Sequence, residues 1–176
     1  ELNEHTQPSE VESLLSLFSD PDGSPSDVGL ISEAGLPAVA DPGARLVALC
    51  HIHGIQVVPM VGPSSLMLAL MGSGLNGQCF AFCGYLPAKT DERRKAIREI
   101  ERRSSQLNQT EMFIETPYRN DSMMADLLAA LQPKTRLCIA ADITLPDETI
   151  MTRTVREWQK SPVVIGKRPC VFLILA

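Results

Sequence analysis

Short polar turns that follow apolar runs hold the side chains best suited to bind a ligand. Residues 32–37 (Ser-Glu-Ala-Gly-Leu-Pro) follow the apolar run 28–31, and residues 62–65 (Gly-Pro-Ser-Ser) follow the run 55–60. Small residues let the backbone approach a ligand, and a serine that caps a helix leaves amide donors for a carboxylate or a ribose. The same residues also suit plain tight turns, and residue types leave both interpretations open.

Two further junctions of this kind occur later in the chain. Residues 114–119 (Ile-Glu-Thr-Pro-Tyr-Arg) join a predicted strand to a predicted helix, and Ala141 and Asp142 close another predicted strand. In open α/β sheets, ligands bind at the carboxyl ends of strands. A ligand between the two halves of the chain could touch all of these turns. Glu115 and Arg119 also fit structural roles, as an anion at a helix start and a surface charge.

Several common catalytic motifs are absent from the sequence, which contains no G-x-S-x-G, no P-loop and no H-E-x-x-H. Residues 72–77 match G-x-G-x-x-G, but they follow a predicted helix, whereas the dinucleotide motif follows a strand and opens a helix. We interpret them as a helix end and a turn. No metal site is expected, because His51 and His53 do not share a helix face. A pocket of backbone and small side chains suits a cofactor that brings its own reactive group.

The amino-acid composition and the net charge limit the classes of protein to which this chain can belong. The 176 residues are 44% hydrophobic with a net charge of -5, which allows one domain or two small ones and disfavours a wholly basic nucleic-acid binder. No apolar run approaches the roughly 20 residues of a membrane span, and the first residues lack a signal-peptide pattern. The five cysteines mostly lie in apolar runs and form no Cys-x-x-Cys pair, which predicts free thiols in a reducing, cytoplasmic compartment.

A stripe of arginines lies on the predicted helix 90–104. Arg94, Arg98 and Arg102 recur every four residues and share one helix face. A phosphate-binding stripe fits this spacing. Interleaved glutamates favour a solvated helix face with internal ion pairs instead.

The elements that must position these turns follow an α/β pattern. Periodicity predicts helices within 8–18 and at 45–53, 66–71, 90–104, 117–132 and 155–160, and strands at 28–31, 55–60, 80–84, 112–115, 136–142, 149–154 and 169–176. We expect a parallel-sheet N-terminal subdomain over 1–76 and a mixed-sheet C-terminal subdomain over 77–176. The N-terminal part offers only two strands, so a strand of its sheet is expected to be missing. The nearly all-apolar helix 66–71 predicts burial on all sides.

Six segments, taken in order, resemble the tetrapyrrole methylase superfamily, and within it the branch that contains the 16S ribosomal RNA 2′-O-ribose methyltransferase. The segments are 30–37, 41–43, 57–65, 84–89, 113–119 and 148–150. The family's first strand and its glycine-rich loop have no counterpart here, so this chain alone is expected to be an incomplete enzyme. The ribosomal branch has Asp and Thr at the positions of Glu33 and Leu36.

The resemblance implies two α/β domains that bind S-adenosylmethionine in the cleft between them, and a homodimer. The implied cofactor contacts are Ser32, Glu33, Ala34, Leu36, Ser64, Ser65, Ile114, Glu115, Ala141, Asp142, Pro169 and Cys170. No catalytic residue is assigned, although Glu33 and Glu115 are candidate bases as carboxylates at the predicted cleft.

The implied activity is methyl transfer to ribosomal RNA ribose, with ribosomal RNA as a partner and no membrane. One alternative is methylation of a tetrapyrrole or another small molecule. Another is an inactive binding or dimerisation module.

Overall fold

The computed structural model describes residues 2, 3 and 5–176, which divide into two compact units. The first unit spans Glu1–Ser64 and the second spans Ser65–Ala176. The division falls before the helix that starts at Ser65 rather than after residue 76, where the sequence placed it. This helix packs on the sheet of the second unit, which is why the division comes earlier.

The first unit contains two short α-helices around a small core. Helix α1 (Pro8–Ser13) continues into a 3-10 turn (Leu14–Phe18), and α2 spans Ala44–Ile52. Val11, Leu46 and Cys50 form the buried core. Gly54 follows α2 with a φ of +67°, as predicted for a glycine that ends a helix.

The two strands predicted for the first unit do not form in this structure. Residues 28–31 and 55–60 belong to no β-ladder, and among the described residues of this unit the only β pairing is the bridge between Ser19 and Pro25. The side chains of Ile31 and Met60 are 88% and 82% exposed. An apolar run has strand propensity, but a strand also needs a neighbour that accepts and donates its backbone hydrogen bonds. The prediction of a parallel sheet here is therefore wrong for this structure.

The second unit forms around one mixed sheet of five strands, as predicted. The strands are β1 (Phe80–Tyr85), β2 (Thr110–Ile114), β3 (Arg136–Ala141), β4 (Thr149–Thr154) and β5 (Cys170–Leu175). Their order is β1-β2-β5-β3-β4, with β1 parallel to β2 and every other pair antiparallel. The α/β class is confirmed.

Helices cover both faces of this sheet. On one face, helices α4 (Thr90–Leu107), α5 (Asn120–Ala130) and α6 (Val155–Lys160) bury Phe113 and Phe172. On the other face, α3 (Ser65–Ser73) packs on Met112 and Leu173. Alternate residues of β2 and β5 thus enter the two cores, as strand geometry requires.

No helix among the described residues is both long enough and apolar enough to cross a bilayer.

Candidate functional site

The predicted site residues of the second unit meet at one edge of its sheet. Ile114 pairs with Val171, and Ala141 pairs with both Cys170 and Thr149. Because β2 and β3 each run antiparallel to β5, their carboxyl ends lie beside the start of β5. The structure therefore brings together, at what we call the β2/β3 edge, the residues Ile114, Glu115, Ala141, Asp142, Pro169 and Cys170.

Glu115 is a buried carboxylate with one oxygen satisfied and one without a partner. Its side chain is 0% exposed. Oε1 accepts hydrogen bonds from the Thr116 backbone N–H at 2.7 Å, the Thr116 hydroxyl at 3.1 Å, and Arg119 Nε and Nη2 at 3.0 and 2.7 Å. Oε2 has no hydrogen-bond partner among the described residues. Burial of a carboxylate is unfavourable unless it is paired, so Arg119 stabilises the charge and leaves Oε2 as a free acceptor.

Arg168 ties together three of the strand ends at this edge. Its Nε donates to Asp142 Oδ2 at 2.5 Å, and its Nη2 donates to the Asp147 carbonyl at 2.7 Å and to the Thr149 hydroxyl at 3.1 Å. Asp142 has a φ of +51°, and its N–H donates to the Pro169 carbonyl at 3.0 Å. The turn after β3, the start of β4 and the approach to β5 are thus held in one arrangement.

The first residues of α5 hold the segment that precedes β5. Asn120 Nδ2 donates to the carbonyls of Gly166 and Arg168 at 3.0 and 2.7 Å. Asp121 Oδ1 accepts from the backbone N–H groups of Ile165 and Gly166 at 2.8 and 3.2 Å. Asn120 is 0% exposed, and its Oδ1 is a second buried acceptor without a partner among the described residues.

Sequence reasoning missed the roles of Asn120, Asp121 and Arg168. Their partners lie more than 18 residues away along the chain, so no local pattern marks them. Arg119, which fitted a surface charge, proves to be the ion-pair partner of Glu115 at 2.7 Å.

Cys170 is a buried apolar residue and does not act as a nucleophile. The residue is 6% exposed, and burial raises the pKa of its thiol to about 12. The nucleophilic form of cysteine is the thiolate, so this side chain stays neutral and unreactive near pH 7. With Ala141, which is fully buried, it belongs to the hydrophobic core of the second unit.

The first unit places its two predicted turns side by side. Leu36 packs against the second turn, where a Cβ built on Gly62 would lie 3.2 Å from Leu36 Cδ2. Within the first turn, the Ser32 hydroxyl donates to the Ala34 carbonyl at 3.0 Å and accepts from the Ala34 N–H at 3.3 Å. Gly62 therefore allows the close approach of the two turns.

The remaining predicted residues differ in burial and in the unit that holds them. Glu33 is exposed in the first turn, whereas Ser64 is buried at the end of the first unit. Ser65 is the first residue of α3 and belongs to the second unit. The predicted residues therefore fall into two groups, one in each unit.

The sequence matches one known protein family and several named proteins. The family model of the Tetrapyrrole (Corrin/Porphyrin) Methylases matches residues 20–159. A protein named "Ribosomal RNA small subunit methyltransferase I" from Neisseria meningitidis serogroup B is 41% identical over 132 residues, which are 75% of this chain and 44% of the relative. Its namesake from Escherichia coli O157:H7 is 33% identical over 156 residues, 89% of this chain and 52% of the relative. The chain spans about half the length of the curated relatives that it matches.

Solved structures share the fold at low sequence identity. The methyltransferase CobJ aligns with a TM-score of 0.54 and 14% identity, covering 97% of this chain and 87% of its own. A conserved hypothetical protein from Aeropyrum pernix K1 aligns with a TM-score of 0.57 and 16% identity, covering 81% and 56%. The family model covers most of the sequence, and the two relatives are 41% and 33% identical. The chain therefore belongs to the tetrapyrrole (corrin/porphyrin) methylase family.

Proposed function

We propose that the protein is an S-adenosylmethionine-dependent methyltransferase that acts on ribose in small-subunit ribosomal RNA. One observation carries the proposal. The buried acceptor Glu115 Oε2 has no hydrogen-bond partner among the described residues, and it lies at the β2/β3 edge, where the family resemblance implies cofactor contacts. Membership of a methylase family and the names of the curated relatives support the reaction and the class of substrate.

The chemistry of the β2/β3 edge fits S-adenosylmethionine, which carries hydroxyl and ammonium donors on a partly apolar frame. Glu115 Oε2 would accept a hydrogen bond from one of these donors, because a buried unpaired acceptor gains most from a new partner. Ile114, Asp142 and Pro169 are partly or fully exposed and would contact the cofactor directly, whereas the buried Ala141 and Cys170 would support them from the core. We also propose cofactor contacts from Ser32, Glu33, Ala34, Leu36 and Ser64 of the first unit and from Ser65, which begins α3 in the second unit.

The cofactor supplies an electrophilic methyl group when it is bound. The protein's own residues then need to bind and align the acceptor and exclude water. A proton must leave the acceptor hydroxyl, and a carboxylate within reach could accept it. Glu115 is held by Arg119 and suits binding, whereas Glu33 is exposed and has no ion-pair or hydrogen-bond partner among the described residues. We assign Glu33 as the candidate base.

The cellular setting forms part of this proposal. Ribosomal RNA as a substrate places the enzyme in the cytoplasm, in keeping with five cysteines that are all free. We also propose a homodimer, because the first unit exposes apolar side chains such as Ile31, Met60 and Val61, and exposed apolar surface favours association.

Methyl transfer from radiolabelled S-adenosylmethionine to unmethylated small ribosomal subunits tests the proposal. We expect label in the RNA. Glu115→Gln should lower the rate of methyl transfer at least about tenfold, because it removes the negative charge that orients the hydroxyl or ammonium group of the cofactor. Glu99→Gln is the matched control, since Glu99 is an exposed carboxylate on α4. Label in an added uroporphyrinogen but not in RNA would favour the tetrapyrrole alternative. Cofactor binding without transfer to either would favour the inactive module.

A further inference from the structure

Four cationic side chains gather at the edge of the second unit's sheet that lies opposite the β2/β3 edge. Arg136 begins β3, whereas the candidate site begins where β3 ends at Ala141. Lys134 precedes β3, Arg98 lies on α4 and Arg156 lies on α6. All four residues are exposed, and we call them the basic patch.

Backbone and side-chain hydrogen bonds fix the three elements of this patch against one another. The Gln132 N–H and the Thr135 hydroxyl donate to Glu101 Oε1 at 2.7 and 2.5 Å, which seats the turn before β3 on α4. On the other side, the N–H groups of Val155 and Arg156 donate to the carbonyls of Thr135 and Pro133 at 2.9 and 3.0 Å. The turn therefore joins α4 to α6, and the four cations extend across all three elements.

The cations of the patch have no direct partner of opposite charge. None of the four cationic side chains has a hydrogen bond or an ion pair among the described residues. Of the nearby carboxylates, Glu99 pairs with Arg102 on α4. Glu101 and Glu157 accept hydrogen bonds from neutral groups of the turn and of a helix cap, and neither forms an ion pair with the patch.

The patch differs from the arginine stripe that the sequence suggested on α4. In that stripe Arg94 pairs with Asp126 and Arg102 pairs with Glu99, which supports the solvated face with ion pairs. Only Arg98 is left unpaired. It lines an open cavity of about 570 Å³ together with Lys134.

We propose that the basic patch binds the phosphate backbone of the RNA substrate at a second point, remote from the methyl-transfer edge. This inference rests on the proposed function for the identity of the anion. Six residues of β3 separate the two edges by about 20 Å, at about 3.3 Å per residue. A small molecule at the β2/β3 edge would not reach the patch, whereas a ribosomal RNA spans both. The net charge of the chain is -5, so its attraction for a polyanion must come from local clusters of unpaired surface cations such as this patch.

Salt-dependent binding of a fluorescein-labelled fragment of small-subunit ribosomal RNA tests the patch. The test variant combines Arg98→Gln, Lys134→Gln and Arg156→Gln. The matched control combines Arg45→Gln, Lys89→Gln and Lys95→Gln, three exposed cations outside the patch. Each lost contact to a single-stranded phosphate lowers the slope of log K against log salt by about 0.7, so the test variant should lose about 2. We also expect its affinity at about 0.1 M salt to fall about tenfold or more, with the control near wild type.

Cofactor titration of the same proteins separates this inference from the proposed function. We expect S-adenosylmethionine to bind all three proteins equally. Equal salt slopes for the two triple variants, or no RNA binding by the wild type, would overturn the patch, even if methyl transfer is found. A lower slope in the test variant alone would support the patch, even if the protein transfers no methyl group.

Discussion

Residues 170–175 of the second unit and residues 55–60 of the first unit are both six-residue segments of mainly apolar residues, yet their surroundings are opposite. The first of these forms β5, whose residues are all buried between β2 and β3. In the second, Met60 is 82% exposed and no strand forms. Apolar composition therefore provides strand propensity, but a strand forms only where neighbouring strands complete its backbone hydrogen bonds.

Hydrogen exchange of backbone amides should give the largest difference between the two units. We expect amides in β3 and β5 to exchange at least about a thousandfold more slowly than those at 28–31 and 55–60, because ladder hydrogen bonds open only with extensive unfolding. Mass spectrometry of deuterated fragments measures this. Comparable protection of the two sets would mean that the first unit's apolar segments are paired after all.

Removal of a buried ion pair should strongly destabilise the second unit. Asp126 accepts from Arg93 Nε and Arg94 Nε, both at 2.7 Å, and the side chains of Arg93 and Asp126 are only 2% and 4% exposed. Asp126→Ala leaves the Arg93 charge buried and unpaired, so the free energy of unfolding should fall by about 3–5 kcal/mol. Glu99→Ala removes an exposed pair and should lower the free energy of unfolding far less, as measured by urea denaturation. Equal losses would contradict this account of the core.

Backbone conformation offers a milder test of the first unit. Gly43 precedes α2 with a φ of +134°, and a Cβ there would lie 2.7 Å from Leu30 Cδ2. Gly43→Ala should therefore lower the free energy of unfolding by about 1–2 kcal/mol. Gly29→Ala, which meets nothing within 4 Å, is the control and should change it by less than about 0.5 kcal/mol. A neutral Gly43→Ala would show that the turn before α2 is not fixed as described.

The smallest effect concerns acid stability of the second unit. Burial raises the pKa of Glu111, but hydrogen bonds from Arg103 and Cys83 and the Arg103 charge outweigh it and hold the pKa below its ordinary value. This pair stabilises the fold above the carboxyl's unfolded pKa of about 4.3, and the contribution is lost as pH falls through the lower folded pKa. Glu111→Gln should destabilise the protein by about 1 kcal/mol at pH 7, since Arg103 is 41% exposed. The difference from wild type should shrink in acid; a constant difference from pH 7 to pH 3 would contradict this.

Much of the second unit could be predicted from local sequence signals. Thr149–Thr154 and Val155–Lys160 have the predicted bounds, because β-branched residues mark the strand and a Thr-x-x-Glu capping box marks the helix. Helix α3 was predicted in place, but its burial on all sides was wrong. Met71 is 78% exposed, because one sheet face covers only one side of a helix.

Some residues of the candidate site could likewise be predicted from the local sequence, whereas others are recognised only by contacts with residues far along the chain. Glu115 and Asp142 could be named because each ends a predicted strand at a turn of small or polar residues. The bonds from Arg168 to Asp142 and from Asn120 to the Gly166 carbonyl join residues 26 and 46 positions apart. Such pairs depend on strand order, which a local pattern does not contain.

Calorimetric titration of the protein with S-adenosylmethionine tests the central claim most directly. We predict saturable binding that Glu115→Gln weakens at least about tenfold and Glu99→Gln leaves unchanged, because Glu115, unlike Glu99, has a buried acceptor oxygen without a partner among the described residues. A folded protein that binds neither S-adenosylmethionine nor S-adenosylhomocysteine would contradict the account.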